Sequence, residues 1–197
     1  MFKRLATSTV FIALASAPAM AHINPAVHGS LGTGILHPLS GLDHVLVMIA
    51  VGLWACLCGG KSLWVVPTAF VVTMLAGFGL AIGGAPLPFV EPAILASVVA
   101  LGLLVAMAVR VPVVPAAAIV GMFALFHGYA HGSAIGGADE AAYALGFAAS
   151  TAVLHVAGLA IGFGIRALAG QNSKRGQLVA QALGAVTALA GLALMAG

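Results

Sequence analysis

The chain has 197 residues, of which 62% are hydrophobic and only 6% are charged. Soluble domains carry roughly 25% charged residues, so this composition excludes a water-soluble globule and indicates an integral protein of the lipid bilayer. The net charge of +3 comes without a cluster of basic residues, which argues against nucleic acid as a partner.

The first residues have the pattern of a secretory signal peptide. Lys3 and Arg4 precede a short apolar run, and Ala19 and Ala21 stand where a small-x-small cleavage site requires small residues. We therefore predict that residues 1–21 are removed and that the mature chain begins at His22. An uncleaved first helix is the alternative, although this apolar run is short for a span of roughly 20 residues.

Apolar blocks of membrane-spanning length recur along the mature chain, with short polar breaks between them. Only helices and closed barrels satisfy the backbone in lipid, and continuous apolar runs of this length are not barrel strands. The sequence therefore predicts an all-α membrane protein with one domain, residues 22–197, of six transmembrane helices. The predicted spans are residues 39–57, 63–83, 92–109, 112–131, 141–167 and 177–196.

The placement of charged residues predicts the orientation of these spans. Six spans that start outside put every basic residue of the mature chain on the cytoplasmic side, as the positive-inside rule requires. Glu91, Asp139 and Glu140 then lie outside. We predict a multi-pass protein of the bacterial inner membrane with a periplasmic N-terminus. Glycine-lined helices permit close packing and also association into a homo-oligomer.

Seven histidines outnumber the four carboxylates, and none is predicted to lie near the cytoplasmic end of a span. Such groups are costly in lipid unless they are paired, so they indicate function. They are His22 and His28 before the first span, His37, Asp43 and His44 at its outer end, His127 and His131 at the outer end of the fourth, and His155 halfway along the fifth.

The spacing of these residues indicates a metal site at the outer face. A first helix that already includes His37 would place His37 and His44 two turns apart on one face. His127 and His131, at i and i+4, can bind one ion from a single helix. Neutral imidazoles with a carboxylate suit nickel, cobalt, zinc or copper, whereas magnesium and calcium prefer oxygen ligands.

Other residues have two interpretations that the sequence leaves open. His155 is either a ligand further along a path or a hydrogen-bonded residue between helices. His22 and His28 either capture a cation outside or belong to a tail without function. Cys56 and Cys58 are most simply two small core residues, although they and Met48 are soft donors towards the cytoplasmic side.

At these positions the sequence resembles the HupE/UreJ family of nickel and cobalt permeases. The family's His-x5-Asp-His signature stands here within "HPLSGLDHVLVM", and its second signature, Phe-His-Gly-x-Ala-His-Gly-x-Glu, stands as "FHGYAHGSA". The resemblance covers essentially the whole chain. It departs at Ala134, where the family commonly has glutamate, so the family's ligand set is incomplete here.

The resemblance implies uptake of Ni²⁺ or Co²⁺ for metalloenzymes such as hydrogenase or urease, with the ion as cargo and no prosthetic group. The chain lacks a G-x-x-x-x-G-K-[ST] motif, which argues for a secondary permease rather than an ATP-driven pump. The alternative is an intramembrane metal-dependent hydrolase or oxidase, in which His127, His131 and His155 hold the metal and Asp43 acts as the base. A metal-sensing or structural membrane protein is a third interpretation.

Overall fold

The computed structural model describes residues 25–170 and 173–197, with side chains from residue 30 onward. The predicted signal peptide and His22 lie outside these residues. All regular secondary structure that the structure describes is helical, which confirms the all-α prediction. The helices are α1 (Pro25–Ser40), α2 (Leu42–Cys58), α3 (Ser62–Ile82), α4 (Val90–Ala106), α5 (Val113–Ser133), α6 (Glu140–Ala169) and α7 (Lys174–Ala196).

Four of these helices, α3, α5, α6 and α7, are long and apolar enough to cross a membrane. The count rises to five if α1 and α2, which meet at 83°, form one bent span. The remaining helix, α4, has 17 residues, the lower end of the length that spans a bilayer. The structure thus supports a multi-pass membrane protein, and the count of six spans stays a prediction.

The first predicted span, residues 39–57, is not one continuous helix, and in this respect the sequence-based interpretation was wrong. Gly41 has an extended backbone with φ −98° and ψ 119°, which separates α1 from α2. Pro38 lies inside the last turn of α1 and cannot donate a backbone hydrogen bond there. Pro38 and, three residues later, Gly41 thus end α1 and let the chain turn sharply before α2.

Glycines bring the helices of the bundle into backbone contact. A Cβ atom on Gly128 of α5 would collide with the Met74 backbone of α3, and one on Gly77 of α3 would collide with Leu125. Likewise, a Cβ atom on Gly158 of α6 would lie 2.9 Å from the backbone nitrogen of Leu53 on α2. Small residues allow such close approach in lipid. The α3–α5 contact positions the helix that carries His127, and the α2–α6 contact positions the helix that carries His155.

The protein buries one set of large apolar side chains between the helices and exposes another set on its outside. Trp54, Phe70 and Phe147 are completely buried, and Trp54 Nε1 donates a 2.8 Å hydrogen bond to the carbonyl of Val109 beyond α4. In contrast, Leu168 is 92% exposed. Large exposed apolar surfaces are unusual in soluble monomers, so this surface suits contact with lipid.

Candidate metal site

The bend at Gly41 brings histidines of two helices to one place. His37 lies in α1 and His44 in α2, so they do not share a helix face as a continuous first helix would require. Both rings instead contact His131 of α5, and each ring centre lies 4.7 Å from that of His131. His37 and His44 therefore come together because the chain bends at Gly41, and not because they share one face of a continuous helix.

His127 and His131 point inward from the C-terminal end of α5, which is the outer end in the predicted topology. Their exposed fractions are 0% and 1%, and Gly128 between them is the residue that lets α5 approach α3 closely. The His44 ring centre lies 4.8 Å from that of His127. Four imidazoles, those of His37, His44, His127 and His131, thus form one continuous cluster, which we call the outer histidine cluster.

The spacing of these rings would allow them to bind one ion together, but their donor nitrogens do not point to a common position. Imidazoles that bind one ion at about 2.1 Å have ring centres within about 6.5 Å of each other, and the observed 4.7–4.8 Å meets this condition. Among the residues that the structure describes, no three histidine, cysteine or acidic side chains are arranged to hold an ion as they stand. Binding therefore requires rotation of the rings.

The hydrogen bonds of His127 leave one of its nitrogens available. Ser97 of α4 donates its only hydroxyl proton to the carbonyl of Ile94 at 2.5 Å, and its oxygen lies 2.9 Å from His127 Nε2. With that proton on Ile94, the hydroxyl accepts from an Nε2–H group, which leaves the lone pair on Nδ1. This buried Nδ1 has no hydrogen-bond partner, so it is the atom of His127 that is suited to bind a metal.

His131 follows the same pattern at the next turn of α5. Its Nδ1 lies 3.4 Å from the hydroxyl of Tyr143 on α6, while its buried Nε2 has no hydrogen-bond partner. Metal-binding histidines usually pair one ring nitrogen with a polar neighbour and use the other as the ligand. Both histidines of α5 thus have one anchored and one free nitrogen.

Asp43 brings a negative charge to the cluster. Its Oδ1 lies 2.9 Å from Nδ1 of His44, although neither ring nitrogen of His44 has the geometry of a hydrogen bond. A Cβ atom on Gly41 would lie 2.7 Å from Oδ1 of Asp43 and 3.0 Å from Nδ1 of His44. The glycine that bends the chain therefore also leaves the space that these two side chains occupy.

His155 lies apart from the outer histidine cluster, deeper in the bundle. It is 1% exposed, and neither ring nitrogen has a hydrogen-bond partner among the described residues. The interpretation of His155 as a hydrogen-bonded structural residue therefore finds no partner here. Its ring centre lies 5.0 Å from that of Phe70, which in turn lies 5.8 Å from that of His127.

The other candidates occupy separate positions. His22 lies outside the described residues, and the side chain of His28 is not described. Met48 is completely buried in the core. Asp139 accepts a 2.7 Å hydrogen bond from the backbone of Ala142 and so caps α6. Ala134, which stands in the position of the family glutamate, follows α5 and is exposed.

A cavity of about 130 Å³ lies at the C-terminal ends of α2 and α6, away from the outer histidine cluster. Its lining residues include Cys56, Arg110 and Arg166. Arg166 donates a hydrogen bond to the carbonyl oxygen of Cys56. Both cysteines are free thiols. Cys56 is buried and Cys58 is half-buried, so Cys56 lies in the core, and a role of either thiol as a soft donor stays a prediction.

Sequence reasoning missed the residues that orient the histidines. Ser97 is a single polar residue in an apolar helix, and Tyr143 follows the start of α6 without any metal-ligand spacing. Their roles depend on contacts between helices, such as Ser97 with His127 across 30 positions of the chain. Only the rule that a buried hydroxyl needs a partner could have marked them as candidates.

Comparison with known proteins decides the family. The family model described as HupE / UreJ protein matches residues 10–194. The chain is 46% identical to Protein HupE of Rhizobium leguminosarum bv. viciae over 199 aligned positions, covering 100% of this chain and 99% of that relative. The chain belongs to the HupE/UreJ family. No solved structure matches it, so the arrangement of the HupE/UreJ signature residues described above rests on this structure alone.

Proposed function

We propose that this protein is a permease that takes up a divalent transition-metal ion, nickel or cobalt, across the bacterial inner membrane. The observation that carries the proposal is the outer histidine cluster, in which buried imidazoles from α1, α2 and α5 meet beside a carboxylate. Membership of HupE/UreJ, a family linked to nickel and cobalt uptake, supports the same choice of ions.

The chemistry of the cluster suits ions that accept nitrogen ligands. The free Nδ1 of His127 and the free Nε2 of His131 would bind the ion, with His44 from the facing helix. An ion entering the site must lose water, and a nearby negative charge offsets part of that cost. Asp43, 2.9 Å from His44, supplies this charge and would also hold the imidazole in a ligating orientation.

The position of His155 favours a carrier over an enzyme. An intramembrane enzyme with a metal on His127, His131 and His155 needs all three rings at one ion, but among the described residues the ring of His155 contacts Phe70 and not His127 or His131. A carrier instead benefits from donors at successive depths. Cys56 and the cavity beside it continue the series of polar groups towards the predicted cytoplasmic side.

The experiment that tests the proposal is metal influx into vesicles containing the purified protein. We expect nickel or cobalt to enter, and we expect the influx to be lost in His127→Ala and His44→Ala. A series of competing metals then establishes which ion the site prefers. Vesicles that take up no divalent metal, or a His127→Ala variant as active as the unmodified protein, would show that the proposal is wrong.

A further inference from the structure

Phe70 of α3 contacts both the outer histidine cluster, through His127, and His155. The side chain is completely buried. Its ring centre lies 5.8 Å from that of His127 on α5, at an interplanar angle of 51°. The same ring centre lies 5.0 Å from that of His155 on α6, edge to face at 83°. A single benzene ring thus contacts two buried imidazoles, each with an unpaired nitrogen among the described residues.

The neighbours of Phe70 on α3 and α6 are buried, and the sulfur and hydroxyl groups among them are paired with each other. Met74, one turn further along α3, is also completely buried. Its sulfur accepts a 3.5 Å hydrogen bond from the hydroxyl of Thr151, which lies one turn before His155 on α6. A benzene ring has no lone pair to offer, and nickel or cobalt without water needs nitrogen, oxygen or sulfur donors. An ion held by His127 therefore meets a barrier at Phe70.

The surroundings also provide the means for this ring to move. Pro67 lies inside α3 one turn before Phe70, and a proline in a helix interior removes a backbone hydrogen bond and allows a kink. A groove of about 370 Å³ between α3 and α6 is lined by both Pro67 and His155. A weakened turn of helix thus precedes the ring, and free volume lies beside that turn and beside His155.

We propose that Phe70 is the gate of the transport path, closed in this structure, and that its displacement lets an ion pass from the outer histidine cluster to His155. This inference rests on the proposed function. It assigns to Phe70, which itself binds no metal, the role of limiting the rate at which the ion passes. The distinguishing consequence is that a smaller side chain at this position should make transport faster, which a purely structural role would not do.

The test uses the purified full-length protein in two measurements. Influx of Ni²⁺ and Co²⁺ into vesicles is followed with a trapped fluorescent indicator, and binding of Co²⁺ to the detergent-solubilised protein is followed by its visible absorption. Phe70→Leu and Phe70→Met reduce the ring to a narrower chain, and Phe70→Trp enlarges it. Phe163→Leu is the matched control, because Phe163 of α6 is 47% exposed and lies outside the bundle interior.

We expect Phe70→Leu and Phe70→Met to raise the initial influx several-fold and Phe70→Trp to abolish it, with Co²⁺ binding unchanged in all three. Phe163→Leu should match the unmodified protein. If the unmodified protein transports metal but the folded leucine and methionine variants are no faster, Phe70 is not the gate while the permease proposal stands. If the unmodified protein transports neither metal, the permease proposal fails, and the gate fails with it.

Discussion

The hydroxyl oxygen of Ser97 lies 2.9 Å from Nε2 of His127, although the two residues are on different helices. Because the hydroxyl already donates to Ile94, the contact selects the imidazole tautomer with a proton on Nε2. It therefore leaves a free lone pair on Nδ1 in the interior of the bundle. Ser97 thus prepares a ligand without being close enough in sequence for any spacing rule to detect it.

Replacing Ser97 with alanine removes this orientation and leaves His127 in place. We expect Ser97→Ala to weaken Co²⁺ or Ni²⁺ binding by about 10- to 100-fold, the usual effect of losing the partner of a ligating histidine. Isothermal titration of the solubilised protein measures this change directly.

Thr187→Val is the control for Ser97→Ala, since the Thr187 hydroxyl bonds only to the carbonyl of Leu183 in its own helix. That variant should bind metal as the unmodified protein does. An unchanged affinity in Ser97→Ala would mean that His127 needs no help from α4 to act as a ligand.

The charge of Asp43 can be removed while its shape is kept. We expect Asp43→Asn to lower metal affinity by about 10- to 100-fold, because His44 loses its polar partner and the bound ion loses a nearby negative charge. Glu91→Gln removes an equally negative but exposed carboxylate at the start of α4 and should leave affinity unchanged. Equal effects of the two substitutions would show that only the general surface charge matters.

The small size of Gly41 matters as much as its extended backbone. A methyl group there would lie 2.7 Å from Oδ1 of Asp43 and 3.0 Å from Nδ1 of His44, so both side chains would have to move. We expect Gly41→Ala to reduce metal binding and influx without aggregation of the protein. Gly79→Ala is the control, because a Cβ atom there meets no neighbour within 4 Å. Normal transport by Gly41→Ala would show that the position of Asp43 is not critical.

Sequence reasoning reached the helical class and selected the histidines, because both depend on composition and on local spacing. His127 and His131 follow from i and i+4 periodicity, which the structure preserves. The bend at Gly41 was missed although Pro38 and Gly41 are helix-breaking residues, because the predicted span of residues 39–57 runs across Gly41. Phe70 could not be identified from the sequence for a different reason. A phenylalanine in a membrane helix has no polar signal, and its importance comes from two rings on other helices.

The glycine crossings should dominate the stability of the bundle. In Gly158→Ala the new methyl group would collide with the backbone of α2, where Leu53 nitrogen lies 2.9 Å away. Overpacking of this kind costs about 1–3 kcal/mol, so the thermal midpoint in detergent should fall by several degrees. Gly164→Ala, on the same helix with no neighbour within 4 Å, should leave the midpoint unchanged or raise it slightly through better helix propensity. A Gly158→Ala variant as stable as Gly164→Ala would mean that α2 and α6 do not cross here.

The number of spans determines on which side of the membrane the chain ends. Six spans beginning in the periplasm return the C-terminus, after α7, to the periplasm, provided that the 17-residue α4 crosses the bilayer. This helix is about 26 Å long at 1.5 Å per residue, close to the roughly 30 Å hydrocarbon thickness. We therefore expect an alkaline phosphatase fused after Gly197 to be active, since this enzyme folds only where disulfides form, and a fusion after Lys61 to be inactive. An inactive fusion at Gly197 would mean that α4 does not cross and that the chain has five spans.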